Sequence, residues 1–497
     1  MRTYQDLLDH MKTDGELIGF VKQCIMEHQS SPEYEAAYNA QRYFDKRNTT
    51  ILAYQKLLYT LAGEAVPDNY SASYKLCSGF YETFTTQEIQ YLLGNGITLG
   101  DTDKENTFGE DFDDKVQEWA REARIGGVAF GFWNLDHLDI FKLTEFKPLY
   151  DEEDGALKAG IRFWQIDADK PLRATLYELD GYTNFMWSKK TAMGGEIINK
   201  KRAYKNIVKS TIADGDIIYK GENYPSFPIV PMYGNDSHIS TLTGLREQID
   251  CYDLIKSGFA NDIDDASQIY WIIQNAGGMD DIDLVKFVER MKTVRAAVVE
   301  DGGAHAESHT MEVPYASREA ILTRLENDLY RDAMALDVKS IASGAATATQ
   351  IKAAYEPLNE KTDLIEYQVT SALKAIFELA GVDDSASYSR SIIINKAEEI
   401  TNVLQCSEYL PQDYIVEKLL TVLGDADRLD EIMEMLEDEE MDVYPVGGEG
   451  EESEEDIEGE EDLLGDFEEE EETGETGGGT GGLESLASRI EKILGGL

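Results

Sequence analysis

Residues 313–381 constrain this chain most, because they read as a helix, a loop of small residues and a second, longer helix. After Pro314 and the capping candidate Ser317, Leu322, Leu325, Leu329, Ala333 and Leu336 recur at three- and four-residue spacing. That spacing makes one apolar stripe of an amphipathic helix. Arg318, Arg324, Asp328 and Arg331 occupy its opposite face. Residues 340–347, Ser-Ile-Ala-Ser-Gly-Ala-Ala-Thr, carry almost only small side chains, and Gly344 is free to take positive φ, so the loop is narrow and able to shift. Thr347 and Gln350 form a capping box for the second helix. Its stripe runs through Ile351, Tyr355, Leu358, Ile365, Val369 and Leu373 and stops at Gly381. Pro357 removes one backbone hydrogen bond inside it and predicts a kink. A helix of about 30 residues spans about 45 Å, which is long for a compact monomeric domain.

The rest of the chain alternates between helical and extended patterning. Residues 4–62 and 71–93 read as helical, with a turn at Pro67 and another at Gly94-Asn95-Gly96. From 125 to 219 the period changes to two, with strands at 128–133, 159–166, 173–179 and 184–187, and Pro225, Pro228 and Pro231 punctuate the exit. Residues 240–265 return to a helix with Leu242, Leu245, Ile249, Tyr252, Ile255, Phe259 and Ile263 in one stripe. A small α/β module follows at 270–315: a strand at 270–273, a helix at 282–291, a strand at 296–299 and an extended piece before Pro314. Beyond Gly381 the chain is helical to about 436, then turns acidic and glycine-rich at 446–482, a composition that predicts disorder. A short amphipathic helix occupies 483–497. The fold class is therefore α+β, mainly α.

Composition narrows the function. The 97 acidic residues outnumber 45 basic ones and leave a formal charge of −52, which argues against a broad, tight grip on DNA phosphates. An acidic surface is still compatible with DNA sliding past without being held. Cys24, Cys77, Cys251 and Cys406 show no CxxC spacing, so buried free thiols and a reducing compartment are expected. The first residues lack the apolar core of a signal peptide, and no apolar run of about 18 residues is present to span a membrane.

No catalytic constellation emerges. Asp262, Asp264 and Asp265, and Asp280, Asp281 and Asp283, are acidic clusters that invite a metal-dependent nuclease, but neither has the EF-hand frame, and both read more simply as solvated helix ends. His305 and His309 stand four apart without the Glu of a zinc-protease motif, and Gly302-Gly303 beside them suggests a loop. There is neither a Gly-Lys-Ser/Thr phosphate loop nor a G-x-S-x-G elbow. No cofactor, no metal and no enzymatic activity are expected.

Several phrases, in order along the chain, carry a resemblance: Arg-Tyr-Phe-Asp at 42–45, Tyr-Leu-Leu-Gly-Asn-Gly-Ile at 91–97 and Lys-Pro-Leu-Tyr-Asp at 147–151. Further on come Ile-Asp-Cys-Tyr-Asp at 249–253, Ala-Asn-Asp-Ile at 260–263, Ser-Gly at 343–344 and Ile-Lys-Ala-Ala-Tyr-Glu-Pro-Leu at 351–358. Together with the order of long helices, they make the chain resemble the portal proteins of tailed bacteriophages, in particular the SPP1-type family.

The resemblance implies a portal-type ring subunit, commonly one of a dodecamer, around a DNA channel at a capsid vertex. It implies a wing at 1–233, stem helices at 234–266 and 316–336, a clip at 267–315, a tunnel loop at 337–346, a kinked wing helix at 347–381 and a helical crown at 382–445. Lys339, Ser340, Ser343, Gly344 and Thr347 would then be the DNA-facing loop residues, and Pro357 the kink. For Lys339 the plain alternative is a pairing with Asp337 or a neighbouring subunit. Implied partners are further copies of the chain, the terminase large subunit, a head-completion or adaptor protein, the major capsid protein, scaffolding protein and translocating double-stranded DNA. The implied location is the virion, with host cytoplasm during assembly. The acidic tail and terminal helix are not part of the family's common core. Two other readings stand beside this one: a nuclease using the acidic clusters, and an acidic DNA mimic or chaperone acting through 449–475.

Overall fold

The computed structural model describes residues 2–59, 64–68, 71–100, 102–188, 194–211, 217–266, 270–274, 305–309, 315–341, 348–390, 400, 403–406, 409–423, 429 and 432–433. They fall into two units, Met1–Gly344 with Ala353–Ile392, and Ala345–Lys352 with Ile393–Leu497.

In the first unit, helix Phe112–Gly126 lies at the centre of the main core. Phe112, Val116, Trp119, Ala120 and Ala123 share one face of its 3.6-residue repeat, and all are buried. Against it lies a three-stranded antiparallel sheet in the order Ile229–Tyr233, Val128–Asn134, His137–Lys142. The Trp119 indole N–H donates to the Ala129 carbonyl at 3.0 Å, so the largest side chain of the core leaves no unmet donor. The helix stops at Gly127, whose φ of +85° and close approach to the His238 carbonyl both exclude a side chain. Helices Phe80–Leu93 and Ala348–Ala380 bring Leu92, Leu93, Val369, Leu373 and Phe377 to the same core.

A five-stranded antiparallel meander follows, in the order Glu196–Arg202, Gly181–Trp187, Leu172–Glu178, Leu157–Trp164, Phe146–Tyr150. Its period of two puts Ala159, Ile161, Phe163, Ala174, Leu176 and Phe185 on one face. Helices Tyr4–His10 and Asp14–Gln29 cover that face with Leu7, Phe20, Val21, Cys24 and Ile25. Each large apolar side chain buried there contributes about 1.5–3 kcal/mol.

Several sequence expectations are corrected. The segment 54–59 is not a continuation of helix, because Leu57–Tyr59 pairs as a strand with Ala65–Pro67. Residues 71–79 are not helical either, and the helix starts at Phe80. Pro231, read as punctuating the exit from the strands, lies inside one, as does Pro148. Both strands are sheet edges, where a missing N–H interrupts no ladder. The extended segments 137–142, 196–202, 205–211 and 217–222 escaped the sequence reading. Cys24 is buried as expected, but Cys251 and Cys406 are exposed, and all four thiols are free.

In the second unit, helix Gln412–Leu423 packs Val416 and Leu420 on Ile432, with Leu429 and Met433 beside them. The expected helix at 282–291, the strand at 296–299, the acidic stretch 446–482 and the helix at 483–497 lie outside the described residues. Among the described residues, no helix is long and apolar enough to cross a membrane.

Candidate functional site

Two helices, Arg246–Ala266 and Tyr315–Asp332, pack together and carry the region of interest. At one end, Leu242, Leu245, Ile249, Leu329 and Ala333 join Tyr81 and Phe84 in a buried cluster. Phe80 meets Tyr252 edge-on at 4.9 Å, and Phe84 meets Tyr330 edge-on at 5.1 Å. Burial fades along the helices: Tyr252, Ile255 and Phe259 are half-buried and Ile263 is 54% exposed, so the stripe read from the sequence is only partly covered within one chain. There the contact is polar, with Arg318 ion-paired to Asp262 and lying 6.0 Å from the Phe259 ring.

The other polar face of Arg246–Ala266 grips residues 74–78. The Ser78 N–H donates to Asp253 Oδ1 at 2.9 Å, the Leu76 N–H to Ser257 Oγ at 2.9 Å and the Tyr74 N–H to Asn261 Oδ1 at 2.6 Å. Asn48 Nδ2 donates to Asp253 Oδ2 at 2.5 Å, while Tyr43 and Thr50 donate their hydroxyls to Asp250. The match is geometric: four helical residues rise about 6 Å, and two extended residues advance about 6.6 Å. Burial raises the Asp253 pKa, and the donors around it work against that rise. Sequence reasoning missed this seam. The signal was the spacing of Asp250, Asp253, Ser257 and Asn261, but their partners lie 175–207 residues away in stretches read as helix.

Beyond Asp332 the chain turns through Met334, whose φ is +51°. Leu336 is then clamped by Gln87: its N–H donates to Oε1 at 2.9 Å and its carbonyl accepts from Nε2 at 3.0 Å. The turn leads into the short helix Val338–Ile341, where Asp337 Oδ1 accepts the Lys339 N–H at 3.0 Å. Lys339 Nζ bonds Glu326 Oε1 at 2.6 Å, which raises the lysine pKa, and the side chain remains 75% exposed. Its ion-pair partner is thus Glu326, on the preceding helix, and Asp337 takes the backbone N–H. Ser340 lies in the same short helix. Ser343, Gly344 and Thr347 lie outside the described residues, and the chain resumes as the 33-residue helix Ala348–Ala380, which contains Pro357.

That long helix is tied to the core by buried charge. The Glu88 carboxylate lies 2.7 Å from Arg124 Nη2 and 3.0 Å from Lys361 Nζ, and Arg124 Nη1 donates to the Gly234 carbonyl at 2.5 Å. Glu88 is 1% exposed. Burial pulls the Lys361 pKa down and Glu88 pulls it back. Past the helix, Asp384 accepts the N–H groups of Gly100 and Thr102, and Ser387–Tyr388 pairs with Ile97–Thr98. Arg390 reaches back to Asp363 and to Glu366, the latter at 2.7 Å.

The candidates for metal chemistry are not brought together. Asp262 is committed to Arg318. Asp280, Asp281 and Asp283 lie outside the described residues, as does the Asp265 side chain. His305 and His309 bound a strand that pairs with Tyr270–Gln274, so they sit on extended backbone rather than in a loop. Among the described residues, no group of three or more His, Cys, Asp or Glu side chains is placed to hold a metal ion.

What these residues build is support: two braced helices, a clamped turn and a long helix anchored by a buried ion triad. A family model described as "Phage portal protein, SPP1 Gp6-like" matches residues 26–443. The chain belongs to that family of phage portal proteins, structural head-tail connectors of the virion. It is similar to the portal protein of Clostridium phage phiCD119, 24% identical over 361 residues that cover 66% of this chain and 77% of that one. It is also similar to the portal protein of Bacillus phage SPP1, 23% identical over 386 residues, 72% of this chain and 71% of that one. Among solved structures, the neck of an empty gene transfer agent particle computed with C6 symmetry matches at a TM-score of 0.39 and 11% identity, over 69% of this chain and 90% of that one. The virion of the native gene transfer agent particle matches at 0.39 and 12%, over 69% and 89%.

Proposed function

We propose that this chain assembles into a ring of about a dozen copies around a channel through which double-stranded DNA enters and leaves a capsid. In this reading residues 1–233 and 347–381 form the wing, with Pro357 kinking its long helix. Residues 234–266 and 316–336 form the stem, 267–315 the clip, 337–346 the tunnel loop and 382–445 the crown. The clip docks the terminase large subunit during packaging and a head-completion protein afterwards, while scaffolding and major capsid proteins meet the ring during assembly in the host cytoplasm.

The observation that carries this reading is the family match across residues 26–443. Large apolar side chains left exposed on the helices support self-association: Ile263, Ile321, Leu364 and Tyr367 are 49–73% exposed in the single chain. The charge of −52 supports a channel that lets DNA slide without holding it. Light scattering followed by negative-stain imaging of the purified protein tests the proposal. Rings with a central hole are expected. A 55.7 kDa monomer that persists with scaffolding and capsid proteins supplied overturns it.

A further inference from the structure

A cavity of about 470 Å³ lies between strand Phe146–Tyr150, the end of helix Asp14–Gln29 and the start of helix Pro32–Phe44. Lys147 lines it and is only 5% exposed. Among the described residues its ammonium makes no hydrogen bond and no ion pair. Glu27 and Glu33 line the same cavity and stabilise the ammonium from a distance, without bonding it. Glu27 holds Arg2 through two bonds of 3.1 Å, and Glu33 is exposed in the first turn of its helix. His28 bonds the Leu143 carbonyl through Nε2 at 2.8 Å, and burial keeps it neutral.

A largely buried cation without a protein partner is relieved by losing its proton, by water entering the cavity or by meeting an anion. Burial does lower the Lys147 pKa. Two features favour the anion. The space beside the ammonium is a cavity large enough for a small molecule, and the N-terminus of the 13-residue helix Pro32–Phe44 opens on it with its positive dipole end. The remaining wall is largely apolar, with Val128, Leu143 and Pro148, and Tyr233 stacks on His238 at 3.7 Å. Arg2 and Glu27 in the wall satisfy each other, which leaves Lys147 as the cation without a direct partner, and the apolar and aromatic side chains beside it suit a carboxylate on a carbon body better than a bare phosphate.

We propose that this cavity binds a small organic carboxylate, with Lys147 holding its oxygens and Val128, Leu143 and Tyr233 receiving its carbon body. The test is acetylation of the full-length protein by acetic anhydride, read at Lys147 by peptide mass spectrometry, with benzoate or inorganic phosphate at matched ionic strength. Benzoate is expected to slow labelling of Lys147 and leave the exposed Lys339 unchanged, with phosphate protecting far less. Calorimetry with benzoate should show saturable binding that Lys147→Met weakens by about tenfold or more. Equal labelling with and without benzoate, equal protection by phosphate, or undiminished binding to Lys147→Met overturns the proposal. The labelling arm uses the unaltered protein, so it decides even if the variant fails to fold.

Discussion

The Ser78 N–H donates to Asp253 Oδ1 at 2.9 Å, one rung of a seam in which every second N–H of an extended segment meets every fourth residue of a helix. The seam fastens helix Arg246–Ala266 to the N-terminal part of the core. Asp253→Ala leaves the Ser78 N–H without an acceptor and takes one of the two acceptors of Asn48 Nδ2, the other being the Ser78 carbonyl, and is expected to cost about 1–3 kcal/mol in urea unfolding. Ser257→Ala, which loses a single bond from Leu76, should cost less.

Glu88→Ala strips the shared anion from Arg124 and Lys361. With both cations left buried, unfolding free energy should drop by about 3–5 kcal/mol. The replacement of Lys361 by Met in the same background should recover part of that loss, because it removes one of the two stranded charges. An additive double mutant would mean that the three groups are not coupled.

His28 makes the stability pH-dependent. Burial lowers its folded pKa to about 4, against about 6.5 in the unfolded chain. Between those values the unfolded state takes up a proton that the folded state refuses, so this contribution is present above pH 6.5 and is lost as pH falls toward 4. At pH 5 the loss is about 2 kcal/mol. The unfolding free energy of His28→Gln should therefore fall less between pH 7 and pH 5 than that of the unaltered protein.

Gly160→Ala is expected to destabilise by about 1–3 kcal/mol through overpacking. A Cβ at Gly160 would stand 1.9 Å from the Phe146 ring, and that ring is fully buried. A melting temperature equal to the unaltered protein's would mean that the ring moves aside freely.

Lys339→Glu places an exposed acidic side chain beside the half-buried Glu326. Thermal melting should stay unchanged, since the site is on the surface. If residues 337–346 face DNA, packaging efficiency in a reconstituted system should change, and an unaltered efficiency would count against that placement.

Helical stripes were legible without a structure wherever one face meets one core. Tyr355, Leu358, Ile365, Val369 and Leu373 are all buried as their spacing required, and the strands near 128–133, 159–166, 173–179 and 184–187 follow from their period of two. Local chemistry determined these, because periodicity and burial are properties of neighbours in sequence. Residues 71–79 were misread for the opposite reason. Their conformation is set by Asp253, Ser257 and Asn261, far along the chain, and no local pattern announces that a helix will satisfy their backbone donors. The same holds for the site. The small-residue stretch after Lys339 was visible by composition, but its ion-pair partner Glu326, the Gln87 clamp on Leu336 and the Glu88 triad exist only once distant helices are packed. Sequence alone determined the long helical stripes, the strands with a clear period of two and which family the chain resembles. The tertiary structure decided which charges meet, because a long-range pairing depends on which elements end up side by side.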